Sequence, residues 1–320
     1  MQRRTLISLA VAATASGGGA SWAQAQRVAR VGILTPNARQ PRVADVIQAL
    51  GELGYQPGRN LVVELRSADD ALDRLEPLAA ELARLPVDVI VTVQSPAAHA
   101  ARRATASVPI VMAGAALDPV AAGLVQSLAR PGGNVTGVVG LGANLAAKAL
   151  ELVRELRSAT RRIGVLANVA DPFTPALLEM LQQAARTFEI ELRIAQVRAA
   201  DLYAPAFADW SAARVDAVFV QPSLVLDKAI ALASQHRLVS FSFVRVFATT
   251  GGLLSYSVDG REAAQRTASF VDRILKGADP GQLPVEQPTS FELVINRRTA
   301  KAIGVTIPSS LLLRGTEVIG

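Results

Sequence analysis

The chain has 320 residues, of which 50% are hydrophobic and 19% are charged, and its formal net charge is +6. This length suits two domains or one large α/β unit, and this composition excludes a disordered chain. The absence of cysteine excludes disulfides, thiolate metal sites, cysteine nucleophiles and a lipoprotein anchor. The arginines are scattered rather than clustered with aromatic residues, so we expect no nucleic-acid partner.

Residues 1–25 have the three parts of a secretory signal peptide. Arg3 and Arg4 form a basic start, residues 5–13 form an apolar stretch too short to span a bilayer, and Ala23-Gln24-Ala25 offers small residues for cleavage. Cleavage after Ala25 or Ala23 removes the two arginines, which lowers the net charge from +6 to +4. We therefore expect a periplasmic protein, exported by the Sec or the twin-arginine route. The alternative is a disordered cytosolic N-terminus.

The next part of the chain alternates between apolar strand patterns and helical stripes. The predicted strands are residues 28–34, 60–66, 87–93 and 108–113. The predicted helices, which have apolar residues three and four positions apart, cover residues 43–53, 75–85, 96–105 and 119–129. The segment 130–134, which reads Arg-Pro-Gly-Gly-Asn, then breaks the pattern.

The same alternation begins again after this break. The predicted strands are residues 135–139, 163–167, 191–197, 215–220 and 238–243. The predicted helices are residues 146–156, 175–188, 203–213 and 224–236. Alternating strands and helices indicate parallel, doubly wound sheets, and so many strands around a central break indicate two α/β lobes.

Ligands of open parallel sheets bind at the carboxyl ends of strands, where helices begin. Three predicted helix starts place a capping side chain before proline: Ser95-Pro96, Asp118-Pro119 and Thr174-Pro175. Such starts offer backbone N–H groups to an anion, although plain helix capping gives the same pattern. Asp171 or Asp118 is a candidate partner for an ammonium group.

The candidate ligand-binding residues follow predicted strands or begin predicted helices. They are Thr35, Gln94, Ser95, Asp118, Asn168, Asp171, Gln221 and Phe243. Arg245 lies at the same strand ends, and Phe173, Phe243 and Tyr256 are candidates for stacking on an apolar or aromatic ligand. Ordinary packing is the alternative for each.

Catalytic and cofactor motifs are missing from the sequence. There is neither a G-x-S-x-G elbow nor a G-x-x-x-x-G-K-S/T phosphate loop, and Leu145 replaces the third glycine of a dinucleotide loop. The two histidines, His99 and His236, have no motif partner. We expect no enzymatic activity, no cofactor and no metal site.

Several segments of the chain resemble one protein family, among them LARPGGNVTG at 128–137 and LPVEQPT at 283–289. Further segments that carry the resemblance are residues 53–60, 78–82, 87–91, 118–120, 274–278, 291–296 and 307–314. Through them the chain resembles the bacterial ABC-transporter substrate-binding proteins of the group that includes tryptophan- and tyrosine-binding members. The residues at 112–117 and 168–172 depart from the family pattern, so the resemblance does not name the ligand.

The resemblance implies a type I periplasmic-binding-protein fold, in which each lobe is a doubly wound parallel sheet and three crossovers form a hinge. The expected N-terminal lobe is residues 26–138 plus 257–288, and the expected C-terminal lobe is 139–250 plus 289–320. We expect the crossovers near residues 137–142, 249–257 and 286–292, with Gly251-Gly252 as a hinge. The implied pocket loops contain the candidate residues given above.

The expected function is the capture of a small carboxylate-bearing solute, an amino acid or a related molecule, and its delivery to an ABC permease of the inner membrane. We expect a monomer, and the resemblance implies that its two lobes close on the ligand. Ser95, Asp118 and backbone N–H groups are expected to hold a carboxylate, and Asp171 an amine. The alternatives are a ligand-sensing protein of the same fold that presents its bound state to a receptor, and a periplasmic enzyme.

Overall fold

The computed structural model describes residues 28–114, 118–140 and 143–320. The signal peptide expected at residues 1–25 lies outside these ranges. Within them the strands are β1 (Ala29–Thr35), β2 (Leu61–Ser67), β3 (Val89–Thr92), β4 (Ile110–Ala113), β5 (Val135–Val138), β6 (Arg162–Asn168), β7 (Glu191–Val197), β8 (Ala217–Val220), β9 (Val239–Ser242), β10 (Leu254–Val258), β11 (Phe291–Asn296) and β12 (Glu317–Ile319).

The helices of the described residues separate most of these strands. They are α1 (Pro41–Glu52), α2 (Leu75–Arg84), α3 (Ser95–Ala104), α4 (Ala143–Leu156), α5 (Thr174–Thr187), α6 (Tyr203–Ala212), α7 (Leu226–Gln235), α8 (Arg245–Thr249), α9 (Gly260–Leu275), α10 (Arg297–Ile303) and α11 (Ser309–Arg314). None of them, in the part of the chain described, is long and apolar enough to cross a membrane.

The first lobe is built on a parallel sheet with the strand order β2-β1-β3-β4-β5. Successive residues of β1 enter opposite faces of this sheet, because side chains alternate along a strand. Ile33 packs with Val46 of α1 and Val271 of α9, whereas Leu34 packs with residues of α2 and α3. Helices therefore cover both faces, which explains the nearly continuous apolar runs of the sequence.

The second lobe is built on a sheet with the strand order β12-β11-β10-β9-β8-β6-β7. It departs from the expected parallel sheet at one place, because β10 and β11 pair antiparallel. Between these two strands the chain leaves the second sheet, and α9 packs against α1 of the first lobe. The chain then re-enters at the edge from which it left, so β11 runs in the opposite direction to β10.

The prediction of a helix at residues 119–129 is wrong. The Asp118 carboxylate accepts hydrogen bonds of 3.0 Å from the N–H groups of Val120 and Ala121, and this starts a series of turns. Gly123 then takes a φ of +67°, a left-handed conformation that ends any helical path.

Gly251-Gly252, the expected hinge, does not lie where the chain crosses between the lobes. These glycines join α8 to β10, and both of those elements belong to the second lobe. A Cβ atom at Gly252 would overlap the Phe247 ring, so this glycine is required for close packing. The chain passes from the second sheet to the first lobe later, between the end of β10 and the start of α9.

Candidate functional site

A cavity of about 170 Å³ lies between the two lobes, where the carboxyl ends of their parallel strands meet. The loops after β3 and β4 and the start of α1 line it from the first lobe, and the loops after β6, β8 and β9 line it from the second. An engineered cavity of about 150 Å³ holds a benzene molecule, so this space suits a ring-sized group.

One wall of the cavity is a hydrogen-bonded network around the carboxylate of Asp171. Its Oδ2 atom accepts from Gln221 Nε2 at 2.9 Å and from Ser223 Oγ at 2.7 Å, and its Oδ1 atom accepts from the Phe173 N–H at 3.0 Å. Asp171 is only 6% exposed, and burial raises its pKa above the usual value although these hydrogen bonds act in the opposite sense. The hydrogen bonds of Asp171 offset only part of the cost of burying its charge. The carboxylate therefore attracts a cation that donates further hydrogen bonds.

Asn168 holds this network in place from behind. Its N–H donates to Gln221 Oε1 at 2.8 Å, and its side-chain amide donates to the Ser223 carbonyl oxygen at 3.0 Å. Thr174 Oγ1 donates to the Asn168 carbonyl oxygen and lies 3.1 Å from Gln221 Oε1. The loops after β6 and β8 are therefore fixed to each other before a ligand arrives.

Gln94 faces this network from the first lobe. Its Nε2 atom lies 3.5 Å from the carbonyl oxygen of Pro222, and this contact joins the two lobes at the cavity. Its backbone has φ 66° and ψ 163°, a region that is otherwise almost restricted to glycine. Its Oε1 atom is buried without a hydrogen-bond partner among the described residues.

A charged group of residues lines the cavity beside the crossover from β10 to α9. Arg42 of α1 donates through Nη1 to the Gly260 carbonyl oxygen, and burial lowers the pKa of its guanidinium. Glu292 of β11 accepts from Ser257 Oγ at 3.0 Å and lies 3.7 Å from Arg245 Nη1. Burial raises the pKa of Glu292, which is 8% exposed.

Aromatic side chains lie between and beside these polar groups. Phe243, at the end of β9, packs against Phe219 with ring centroids 4.7 Å apart. Phe173 lines the cavity from the second lobe and also packs in a buried cluster of the first lobe. These rings give the cavity an apolar surface on which an aromatic group can stack.

The structure brings five of the eight candidate ligand-binding residues to this cavity: Gln94, Ser95, Asp171, Gln221 and Phe243. The other three are placed outside its lining. Thr35 is fully buried, and its hydroxyl donates to the Asn37 carbonyl oxygen at 3.0 Å. Asn168 supports the network described above, and Asp118 is exposed at the start of its turn.

The three expected capping residues also differ in what they do. The N-cap of α3 is Gln94 and that of α5 is Phe173, and neither helix has a side-chain cap. The Asp118 side chain accepts from the following N–H groups of Val120 and Ala121, and it does so ahead of turns. The start of α3 therefore presents its first-turn N–H groups and the positive end of its dipole to the cavity.

Arg42 and Glu292 are functional candidates that the sequence predictions missed. Arg42 follows Gln40-Pro41, a fourth proline-marked helix start of the kind used to find the other sites. Glu292 is a single acid in the otherwise apolar start of β11, and a buried acid in such a run is itself a signal. Among the described residues, no group of three or more histidine, aspartate or glutamate side chains is arranged to hold a metal ion.

The sequence model of the family described as ABC transporter substrate binding protein matches residues 27–319. The chain belongs to this family. A curated relative, the tyrosine-binding protein of Clostridioides difficile, is 26% identical over 262 residues, which is 80% of this chain and 74% of the relative.

Two solved structures resemble this substrate-binding protein over 91% of its length. A conserved domain protein from Vibrio cholerae has a TM-score of 0.83 and 27% identity, with 100% of its chain covered. An ABC domain from Streptococcus pneumonia in complex with L-Trp has a TM-score of 0.82 and 25% identity, with 99% covered. The two parallel-sheet lobes have the type I periplasmic-binding-protein fold.

Proposed function

We propose that this chain is the exported solute-binding component of an ABC-type importer and that its cleft holds an amino acid with an aromatic side chain. The family assignment supports the proposal, and so do two similar proteins, one named as a tyrosine-binding protein and one solved in complex with L-Trp. The closed cleft delivers the ligand to a permease of the inner membrane. The cleft groups bind and orient a solute, and no covalent step is assigned to them.

The observation that carries the proposal is a buried carboxylate opposite an uncapped helix start in one small cavity. Asp171 would accept the α-ammonium group in the acceptor position that its three internal hydrogen bonds leave open. Ser95 and the first-turn N–H groups of α3 would hold the α-carboxylate, because a helix start favours an anion. The side chain would then extend along the Phe243 ring.

The test is isothermal titration of refolded, ligand-free protein, residues 26–320, with L-tryptophan, tryptamine and indole-3-propionate. Tryptamine lacks the carboxylate and indole-3-propionate lacks the amine. We expect both analogues to bind much more weakly than the amino acid. Asp171→Asn should lower the affinity for L-tryptophan about 100-fold or more, because a desolvated ion pair is lost.

Asp118→Asn is the matched control, since this aspartate lies outside the cavity lining and should leave the affinity unchanged. No binding of any aromatic amino acid by wild-type protein would refute the ligand class. Equal effects of the two substitutions would refute the role of Asp171. Loss of high-affinity amino acid uptake in a strain lacking the gene tests the importer role separately from a sensory one.

A further inference from the structure

Glu292 is a buried carboxyl group that lines the cavity. It has no part in the proposed binding of the α-amino and α-carboxylate groups. It stands in the apolar strand β11, next to Ser257 of β10, with which it is in register. Keeping an acid at this position is costly unless it has polar partners, because burial disfavours its charged form. Such a group therefore needs an explanation.

The position of Glu292 follows from the strand order. Along the edge of the second sheet, β6 and β8 carry the Asp171 network, β9 carries Phe243, and β10 and β11 carry Ser257 and Glu292. Neighbouring strands lie about 4.8 Å apart, so β8 and β11 are separated by three spacings, or about 14 Å. A ligand held at Asp171 with its ring along Phe243 extends toward Glu292.

The carboxylate of Glu292 retains acceptor capacity. Its Oε1 atom is used by Ser257 Oγ, and its Oε2 atom is 3.7 Å from the nearest guanidinium nitrogen of Arg245, which is beyond hydrogen-bond distance. Arg42 and Asp259 also act on it electrostatically. Burial and Asp259 raise the pKa of Glu292, whereas the Ser257 hydrogen bond and the two arginines lower it. In its charged form the carboxylate accepts hydrogen bonds and donates none.

We propose that Glu292 is a specificity-determining residue that selects aromatic ligands with a hydrogen-bond donor at the far end of the ring. The phenol O–H of tyrosine and the indole N–H of tryptophan are donors of this kind, whereas the phenylalanine ring has none. A site that desolvates an acceptor discriminates against the analogue that leaves it unpaired. This inference rests on the proposed function, because it assumes an amino acid bound at Asp171.

The experiment compares the affinities of wild-type and Glu292→Gln protein for L-tyrosine, L-tryptophan and L-phenylalanine. We expect the wild type to prefer the better of the two donor ligands over phenylalanine by about 10- to 100-fold, the range for a hydrogen bond to a charged group. Glu292→Gln should lower this preference to about 3- to 10-fold, because a neutral amide oxygen accepts a weaker hydrogen bond than a carboxylate, and should leave the phenylalanine affinity nearly unchanged. Phenylalanine binding thus reports that the variant is folded.

Glu286→Gln is the matched control. Glu286 is a half-exposed acid on the last crossover that pairs with Arg266, and it does not line the cavity. This control should keep the wild-type preference. An equal preference in wild type and Glu292→Gln would overturn the role of Glu292 while leaving the proposed function intact. Failure of the wild type to bind any of the three ligands would instead refute the proposed function.

Discussion

The ring of Phe173, from the second lobe, lies 5.0 Å from the imidazole ring of His99 in the first lobe, measured between centroids. Phe173 is 3% exposed, and the buried cluster around it otherwise consists of first-lobe and crossover residues. An aromatic side chain of one lobe is thus buried in the other. This contact links lobe closure to the burial of apolar surface.

We expect Phe173→Ala to weaken ligand binding by favouring the open form. Burying a phenylalanine side chain stabilises by about 1.5–3 kcal/mol. At about 1.4 kcal/mol per factor of ten, the Kd should rise roughly 10- to 100-fold. Titration calorimetry measures the Kd, and stopped-flow fluorescence should show that faster dissociation accounts for most of the change.

Phe207→Ala is the control for this substitution, because Phe207 is fully buried inside the second lobe alone. It should lower the free energy of unfolding by about 3–5 kcal/mol and leave the Kd of the folded protein nearly unchanged. A Kd for Phe173→Ala that equals the wild-type value would show that closure does not depend on this contact.

The sequence predicts the βα core well because its central strands, such as β3, β4 and β8, are buried and apolar on both faces. The nine predicted strands are all present with ends within two residues, and the region after residue 243 is where elements were missed. There β10 alternates with serine and α8 is only five residues long, so neither has a strong periodic signal.

The site was only partly predictable for a different reason. The rule that ligands bind at the carboxyl ends of strands finds Gln94, Asp171, Gln221 and Phe243. It does not find Glu292, which lies at the amino end of β11 and reaches the site because that strand is antiparallel. Arg42 depends on a partner at Gly260, a contact that no local pattern contains.

The free energy of unfolding should fall as the pH is lowered through the titration range of His99. Burial next to Phe173, together with the charge of Arg103, lowers the pKa of His99 below its ordinary value of 6.5. The unfolded chain therefore binds a proton before the folded chain does. The stability contributed by the neutral imidazole is complete above about pH 6.5 and is lost as the pH falls toward the lowered pKa.

Urea unfolding of wild type and His99→Gln at several pH values between 5 and 8 checks this expectation. Glutamine does not titrate. The free energy of unfolding of the wild type should therefore fall relative to that of His99→Gln as the pH decreases. Arg103 pairs with Glu76 at 2.6 Å, and both proteins keep this pair. Parallel pH profiles would contradict the assignment to His99.

The strained backbone of Gln94 predicts that a glycine at this position stabilises the fold. A residue in this conformation carries a strain of about 1–3 kcal/mol, and glycine adopts it freely at a cost of about 0.5–1 kcal/mol in the unfolded chain. Gln94→Gly should thus raise the free energy of unfolding by about 1 kcal/mol relative to Gln94→Ala, which keeps the strain.

Both substitutions remove the contact between Nε2 and the Pro222 carbonyl oxygen, so their effects on ligand binding should be alike. At 3.5 Å this contact is a weak hydrogen bond, and the Kd should rise by less than about fivefold in either variant. Chemical denaturation and calorimetry on the pair separate stability from affinity. If the glycine variant is no more stable than the alanine variant, Gln94 stores no strain, and its φ of 66° costs the fold nothing.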